Sequence, residues 1–246
     1  MANLEAVNVP SANINFKSED GVIYNKTKTY LYLYPNAKKG AYTMPDTLES
    51  VYYYAFQNSR GLTEINVSDT MKSLNPSYSF INNPALKAIN VDENNQWYTS
   101  INGVLYNKDK TRLYKVPDAY VGDVTIPDTV TNIDGQYTFN NCTGIKKLTI
   151  PAATSVGDST FDYVKSITEF VVDAENTKVQ ALNGCLTNLA KDYIYAIPKG
   201  AATVTLGPQL PYSCFLRSVG QVGRRRTFRL LERVCPEESR LPAYLH

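Results

Sequence analysis

Three segments of the chain repeat one another, and no other feature constrains the fold as much. Asp20-Gly21-Val22-Ile23-Tyr24-Asn25-Lys26 returns as Asn102-Gly103-Val104-Leu105-Tyr106-Asn107-Lys108, and more weakly as Asn183-Gly184-Cys185-Leu186-Thr187-Asn188, with the glycines 82 and 81 residues apart. Each segment runs to a proline fourteen positions on, at Pro35, Pro117 and Pro198. In between, Leu31, Leu113 and Ile194 share one register, and Tyr32, Tyr114 and Tyr195 share the next. Such a period means a stacked array in which each unit contacts only its neighbours.

A shorter period lies inside the long one. Leu62-Thr-Glu-Ile65-Asn-Val67, Leu86-Lys-Ala-Ile89-Asn-Val91, Ile145-Lys-Lys-Leu148-Thr-Ile150 and Ile167-Thr-Glu-Phe170-Val-Val172 share an L-x-x-L-x-L pattern, and Leu4-Glu-Ala-Val7-Asn-Val9 is a fifth copy. The last two apolar positions alternate with a polar one, which is the spacing of a half-buried strand. One such strand buries too little by itself, so stacking is what makes a core. Upstream of the motifs, Phe56, Phe80, Phe139 and Phe161 are placed on the return path of each coil, filling the interior. Pro45, Pro127 and Pro151 mark corners, since proline has no N–H for a central ladder. The segments at Gly21 and Gly103 read as β-hairpins: a strand at 22–24, an Asn-Lys-x-Lys turn, then an alternating strand such as Tyr30 to Tyr34. The fold expected is a β-rich leucine-rich-repeat solenoid with interleaved β-hairpins and little helix, spanning residues 1–206.

The unit Pro127-Asp-Thr-Val-Thr-Asn-Ile133, then Phe139-Asn-Asn-Cys-Thr-Gly-Ile145-Lys-Lys-Leu148-Thr-Ile150-Pro151, resembles the BspA-like leucine-rich repeat family. Ala55-Phe56 matches that family's A-F pair, whereas Thr138-Phe139, Ser79-Phe80 and Thr160-Phe161 keep only the aromatic. The resemblance covers about residues 4–206. It implies a surface-displayed or secreted solenoid that is not an enzyme, with members acting as adhesins toward host extracellular proteins or other cells. It brings no catalytic motif, so no site residue is carried over. Residues 1–5 lack the basic and apolar regions of a signal peptide, so localisation at the surface rests on the resemblance alone.

Composition narrows the chemistry further. The only histidine is His246, the last residue, which removes Ser-His-Asp and Cys-His catalysis and most histidine metal sites. Cys142, Cys185, Cys214 and Cys235 include no CxxC pair, so no zinc site is expected and free thiols are the default. Cys142 and Cys185 fall on packing positions of the repeat. Carboxylates are scattered at turn positions such as Asp46, Asp69, Asp92, Asp128 and Asp173, where Asp bonds nearby backbone N–H groups. The stretches Asp92-Glu-Asn-Asn95 and Asp173-Ala-Glu-Asn176 lack spaced oxygen ligands for calcium and read as solvated loops. No cofactor, no metal, no nucleic acid and no membrane span are expected; no apolar run is long enough for a span.

From Gly207 onward the text changes. All 16 lysines and 22 asparagines lie before Gly207, while 7 of the 9 arginines lie after it. The formal net charge of +2 therefore comes from the Arg-rich tail and says nothing of the solenoid's partners. Residues 207–246 read as a basic amphipathic helix around Phe228, Leu231 and Val234, as a terminal cap, or as an out-of-frame gene end; the abrupt loss of Lys and Asn favours the last.

Two surfaces are candidates for binding. The polar positions of L-x-x-L-x-L include Thr63, Glu64, Asn66, Lys87, Asn90, Lys146, Lys147 and Thr149, a row of mixed sign that suits a protein partner better than a polyanion. The alternative is the tyrosine register of the hairpins, Tyr32, Tyr114 and Tyr195, in a chain where 19 aromatics are tyrosine. Tyrosine supplies large, rigid contact area for proteins and glycans, or it simply covers the hairpin's own sheet. The expected function is protein binding in a secreted or cell-surface adhesin that contacts host or neighbouring-cell proteins. The competing class is a carbohydrate-binding or accessory module of a surface glycan-processing system. Oligomeric state is left open.

Overall fold

A computed structural model describes residues 3–204 except 134 and 136. The tail 207–246, with Cys214, Cys235 and His246, lies outside the described residues. The coils stack into a solenoid, as the repeat requires. On one side run two parallel sheets. The first joins Gly40–Thr43, Leu62–Val67 and Ala88–Val91, and the second joins Val124–Thr125, Lys147–Ile150 and Glu169–Val172. On the return side Tyr30–Leu33 pairs parallel with Ser50–Val51, and Asn132–Ile133 with Ser155–Val156. The one helix among the described residues is the single turn Pro76–Ser79.

The strands form where the motif places them because its apolar positions all turn inward. Leu62, Ile65 and Val67 are buried, as are Leu148 and Ile150, while Asn66, Lys147 and Thr149 between them stay half-exposed. The return-path rings fill the interior: Phe56 stacks on Phe80 at 5.9 Å and Phe139 on Phe161 at 5.3 Å between centroids. Pro45, Pro127 and Pro151 stand at corners, and their carbonyls accept from Leu48, Val130 and Thr154 N–H three residues on.

The hairpins are three-stranded meanders, larger than the sequence suggested. They comprise Phe16–Glu19, Val22–Asn25 and Tyr30–Leu33; Tyr98–Ile101, Val104–Asn107 and Leu113–Lys115; and Val179–Leu182, Cys185–Asn188 and Ile194–Ala196. Four repeated devices attach them. A buried asparagine holds the entry: Asn95 donates to Ser68 and Met71 carbonyls and accepts from Trp97 and Tyr98 N–H, and Asn176 makes the equivalent bonds. The loops at 92–95 and 173–176 are thus structural hinges rather than merely solvated, although Asp92 and Asp173 do make the expected short turns to Asn94 and Glu175 N–H. A second asparagine latches the inner turn. Asn107 Oδ1 accepts from Arg112 N–H and its amide donates to Thr111, as Asn25 does with Tyr30 and Thr29. The exit is tied back to the segment that leads toward the meander, with Ala37, Ala119 and Gly200 N–H each donating at 2.8 Å to Leu4, Leu86 and Ile167 carbonyls.

The fourth device is the glycine. Asp20-Gly21, Asn102-Gly103 and Asn183-Gly184 all have two successive positive φ angles, the type I′ turn such pairs favour. In the first two meanders that turn lies against the preceding coil segment, where Gly21 and Gly103 carbonyls accept from Val7 and Ile89 N–H. A Cβ on Gly103 would stand 2.8 Å from the Ala88 Cβ, whereas one on Gly184 would meet only Pro198, at 3.8 Å. The third copy carries Glu169 where the second has Ala88. We expect Gly103→Ala to lose ~2–4 kcal/mol, from backbone strain plus overpacking. Gly184→Ala should lose ~1–2 kcal/mol, from strain alone. Equal losses in urea denaturation would remove the docking contact from the account.

Candidate binding surfaces

The strand-face residues do not form one row. Asn66 pairs in register with Asn90, and its amide donates to Thr43 Oγ1 while Asn90 donates to Asn66 Oδ1, both at 3.1 Å. Glu64 lies in register with Ala41 on one side and Ala88 on the other. Thr63 falls at a register shift, so it leaves the strand row and sits in the corner slot also held by Lys87 and Lys146. At that slot Thr63 and Lys146 carbonyls accept from the coil that follows, through Lys87 and Thr168 N–H. Lys147 lies within its strand beside Glu169, and Thr149 between Thr125 and Val171. Lys146 and Lys147 thus belong to different rows, with Lys146 the more exposed. The second meander separates the panel that carries Glu64, Asn66 and Asn90 from the panel that carries Lys147 and Thr149.

The hairpin tyrosines are differently placed. Tyr32 is exposed and meets Phe16 edge-on at 5.1 Å and Tyr30 at 4.8 Å. Tyr114 is half-buried against the core, 5.9 Å from Tyr98, with the Arg112 guanidinium 5.5 Å above its ring. Tyr195 is half-buried too, packed against Tyr193 at 5.0 Å.

Two features escaped the sequence reading. The first is a cluster of exposed tyrosines on the return face. Tyr52, Tyr53, Tyr54 and Tyr78 are 41–52 % exposed. Tyr78 is the hub, 5.7 Å from Tyr53, 6.1 Å from Tyr54 and 6.2 Å from Tyr137, while Tyr54 reaches Tyr52 at 6.2 Å. The triplet Tyr52-Tyr53-Tyr54 was the available signal; its meeting with Tyr78 depends on coil stacking. The second is a buried ion pair between Lys115 Nζ and Asp118 Oδ1 at 2.7 Å. Lys115 also donates to Tyr137 and Asn140 carbonyls, and Asp118 Oδ2 accepts from Asn83 N–H. The pair is enclosed and faces the coil interior, so it braces the second meander between two coils.

Cys142 and Cys185 are buried free thiols. Burial pushes Cys142 up to about 12, and Cys185 up to about 11. Because the unfolded chain would release these protons first, near the ordinary thiol range, stability is fully present below about pH 9 and falls as pH climbs toward the folded values. Alkylation by iodoacetamide at pH 8 should therefore wait on unfolding; rapid labelling of the native protein at Cys142 would contradict this. No group of three or more His, Cys, Asp or Glu among the described residues could hold a metal ion. No helix among them is long and apolar enough to cross a membrane.

A model of the BspA-type leucine-rich repeat region matches residues 28–117 and 118–189, with six copies. The chain belongs to the BspA-type leucine-rich repeat family. Its family repeats cover the stacked coils and the whole second meander, and take in parts of the first and third. Three solved structures resemble it at low identity. The pneumococcal vaccine antigen PcpA is 22 % identical with a TM-score of 0.48, over 57 % of this chain and 41 % of that one. A leucine-rich repeat protein from Eubacterium ventriosum is 22 % identical with a TM-score of 0.46, over 60 % and 46 %. A leucine-rich cell surface protein from Faecalibacterium prausnitzii is 18 % identical with a TM-score of 0.44, over 71 % and 51 %. This BspA-type chain thus matches about half the length of each. No curated protein matches it.

Proposed function

We propose that this BspA-type solenoid is a non-catalytic protein-binding module of a secreted or cell-surface adhesin, contacting host or neighbouring-cell proteins through the outward rows of its parallel sheets. One observation carries the reading: polar side chains are held in register across stacked strands, neutral in the Thr43, Asn66 and Asn90 ladder and of opposite sign where Lys147 lies beside Glu169. A fixed row of this kind offers a preorganised surface, and ordering it costs little on binding. Mixed sign favours a protein with its own mixed charge over a polyanion.

Lys146→Glu combined with Lys147→Glu should weaken binding to a partner recovered from host extracellular protein, mostly through a slower association rate. Added salt should act the same way. Surface plasmon resonance on that partner reads both rates. An unchanged association rate, with loss instead on replacing Tyr32 or Tyr114, would move the site to the meanders. Capture of glycans and no protein would favour the carbohydrate-accessory reading.

A further inference from the structure

We propose that the return-face tyrosine cluster around Tyr78 is a binding site for a neutral oligosaccharide. The site is separate from the strand face, so it does not depend on the protein-binding reading.

Charge points to the class of ligand. Charged residues make up 20 % of the chain, yet the return segments 50–59, 73–86 and 135–145 contain none. These segments carry Tyr52, Tyr53, Tyr54, Tyr78 and Tyr137. The next return segment, with Asp158, Asp162 and Lys165 around Tyr163, is charged again. Charges stand only at the borders of these segments, among them Arg60 and the Glu49–Lys72 pair, so the tyrosine stretches themselves give an anionic or cationic partner little to pair with and make a charged group pay desolvation. A neutral ligand meets no such penalty.

The geometry suits sugars in particular. The rings pack edge to face, with interplanar angles of 74° between Tyr52 and Tyr54, 60° between Tyr53 and Tyr78, and 78° between Tyr54 and Tyr78. The four rings stay 41–52 % exposed, and an electron-rich ring face open to solvent attracts the weakly positive C–H face of a pyranose. Phenolic hydroxyls both donate and accept, as sugar hydroxyls require. Four residues beyond Tyr54 and Tyr78 stand Asn58 and Asn82, exposed and joined amide to carbonyl at 2.6 Å. That bond leaves each carboxamide a further donor and acceptor.

Size argues against a whole protein or a second copy of this chain. Four half-exposed rings present about 400 Å². That is the scale of a functional surface patch, but about half of the ~800 Å² per partner that a stable protein interface takes.

The test is a titration of the full chain with neutral hexasaccharides (maltohexaose, cellohexaose, mannohexaose and chitohexaose), with a hyaluronan hexasaccharide and an oligo-arginine peptide as charged probes. Saturable binding of at least one neutral sugar is expected. Tyr78→Ala and Tyr54→Ala should each weaken it about tenfold, with an unchanged circular dichroism spectrum, whereas Tyr163→Ala should leave it intact. Tyr78→Phe should keep most of the affinity, because stacking survives. Failure of every neutral sugar to bind, undiminished binding in the Tyr54 and Tyr78 variants, or preferential binding of either charged probe at these rings would overturn the proposal.

Discussion

Asp118→Ala should destabilise the protein by about 3–5 kcal/mol, the cost of breaking a buried ion pair from one side. Lys115 and Asp118 are each 1 % exposed at their side chains. Without the carboxylate, the Lys115 ammonium keeps only the Tyr137 and Asn140 carbonyls, each at 3.2 Å. The Asn83 N–H, now bonded to Asp118 Oδ2 at 2.8 Å, loses its acceptor, and an unsatisfied buried donor carries its own penalty. The double variant Lys115→Met with Asp118→Asn removes both charges and keeps an oxygen for Asn83, so its loss should be well below that of Asp118→Ala. Urea denaturation of the two variants decides. A single-variant loss under about 1 kcal/mol would mean that water reaches the pair and screens it.

Phe139→Ala should cost a similar ~3–5 kcal/mol for a different reason. Its ring is fully buried, stacked on Phe161, which in turn meets Phe170 edge-on at 5.3 Å. Removing the ring at the head of that file opens a cavity, and the neighbouring coils are held at strand spacing and cannot close it. Because coils contact only their neighbours, the damage should stay local. Hydrogen exchange should rise across 124–172 more than across 40–91. A loss below about 1 kcal/mol would place the ring outside the core.

Legibility followed burial. Leu62, Ile65, Val67, Leu148 and Ile150 announce their strands because each alternates with a polar residue and all face the core. The strand Gly40–Thr43 gave no such signal, since only Tyr42 within it is buried. The first strand of each meander stayed hidden for a similar reason: Phe16–Glu19 has no buried residue, and Tyr98–Ile101 and Val179–Leu182 have one each, so their side chains carry no period. Lys115 lies among residues that read as surface, and only the fold shows that its partner three positions on shares the interior. Tyr78 and Tyr53 are 25 residues apart in sequence; their contact is made by the pitch of the coil, which no local pattern encodes. Of the proposed strand face, the Asn66 and Asn90 pairing was readable from the repeat, while the separation of Lys146 from Lys147 needed the register.

The bond that ties each meander's exit back to the segment leading into it, 33 residues earlier, recurs with the long period, so every 82-residue unit carries the same joint. Whole units could be gained or lost in evolution without disturbing the joints on either side, because each new joint would find the same donor and carbonyl waiting. Length would then change in steps of three coils, about 14 Å at strand spacing, while every outward row kept its alignment. The display surface of such a protein can be lengthened or shortened as a ruler is, by counting marks.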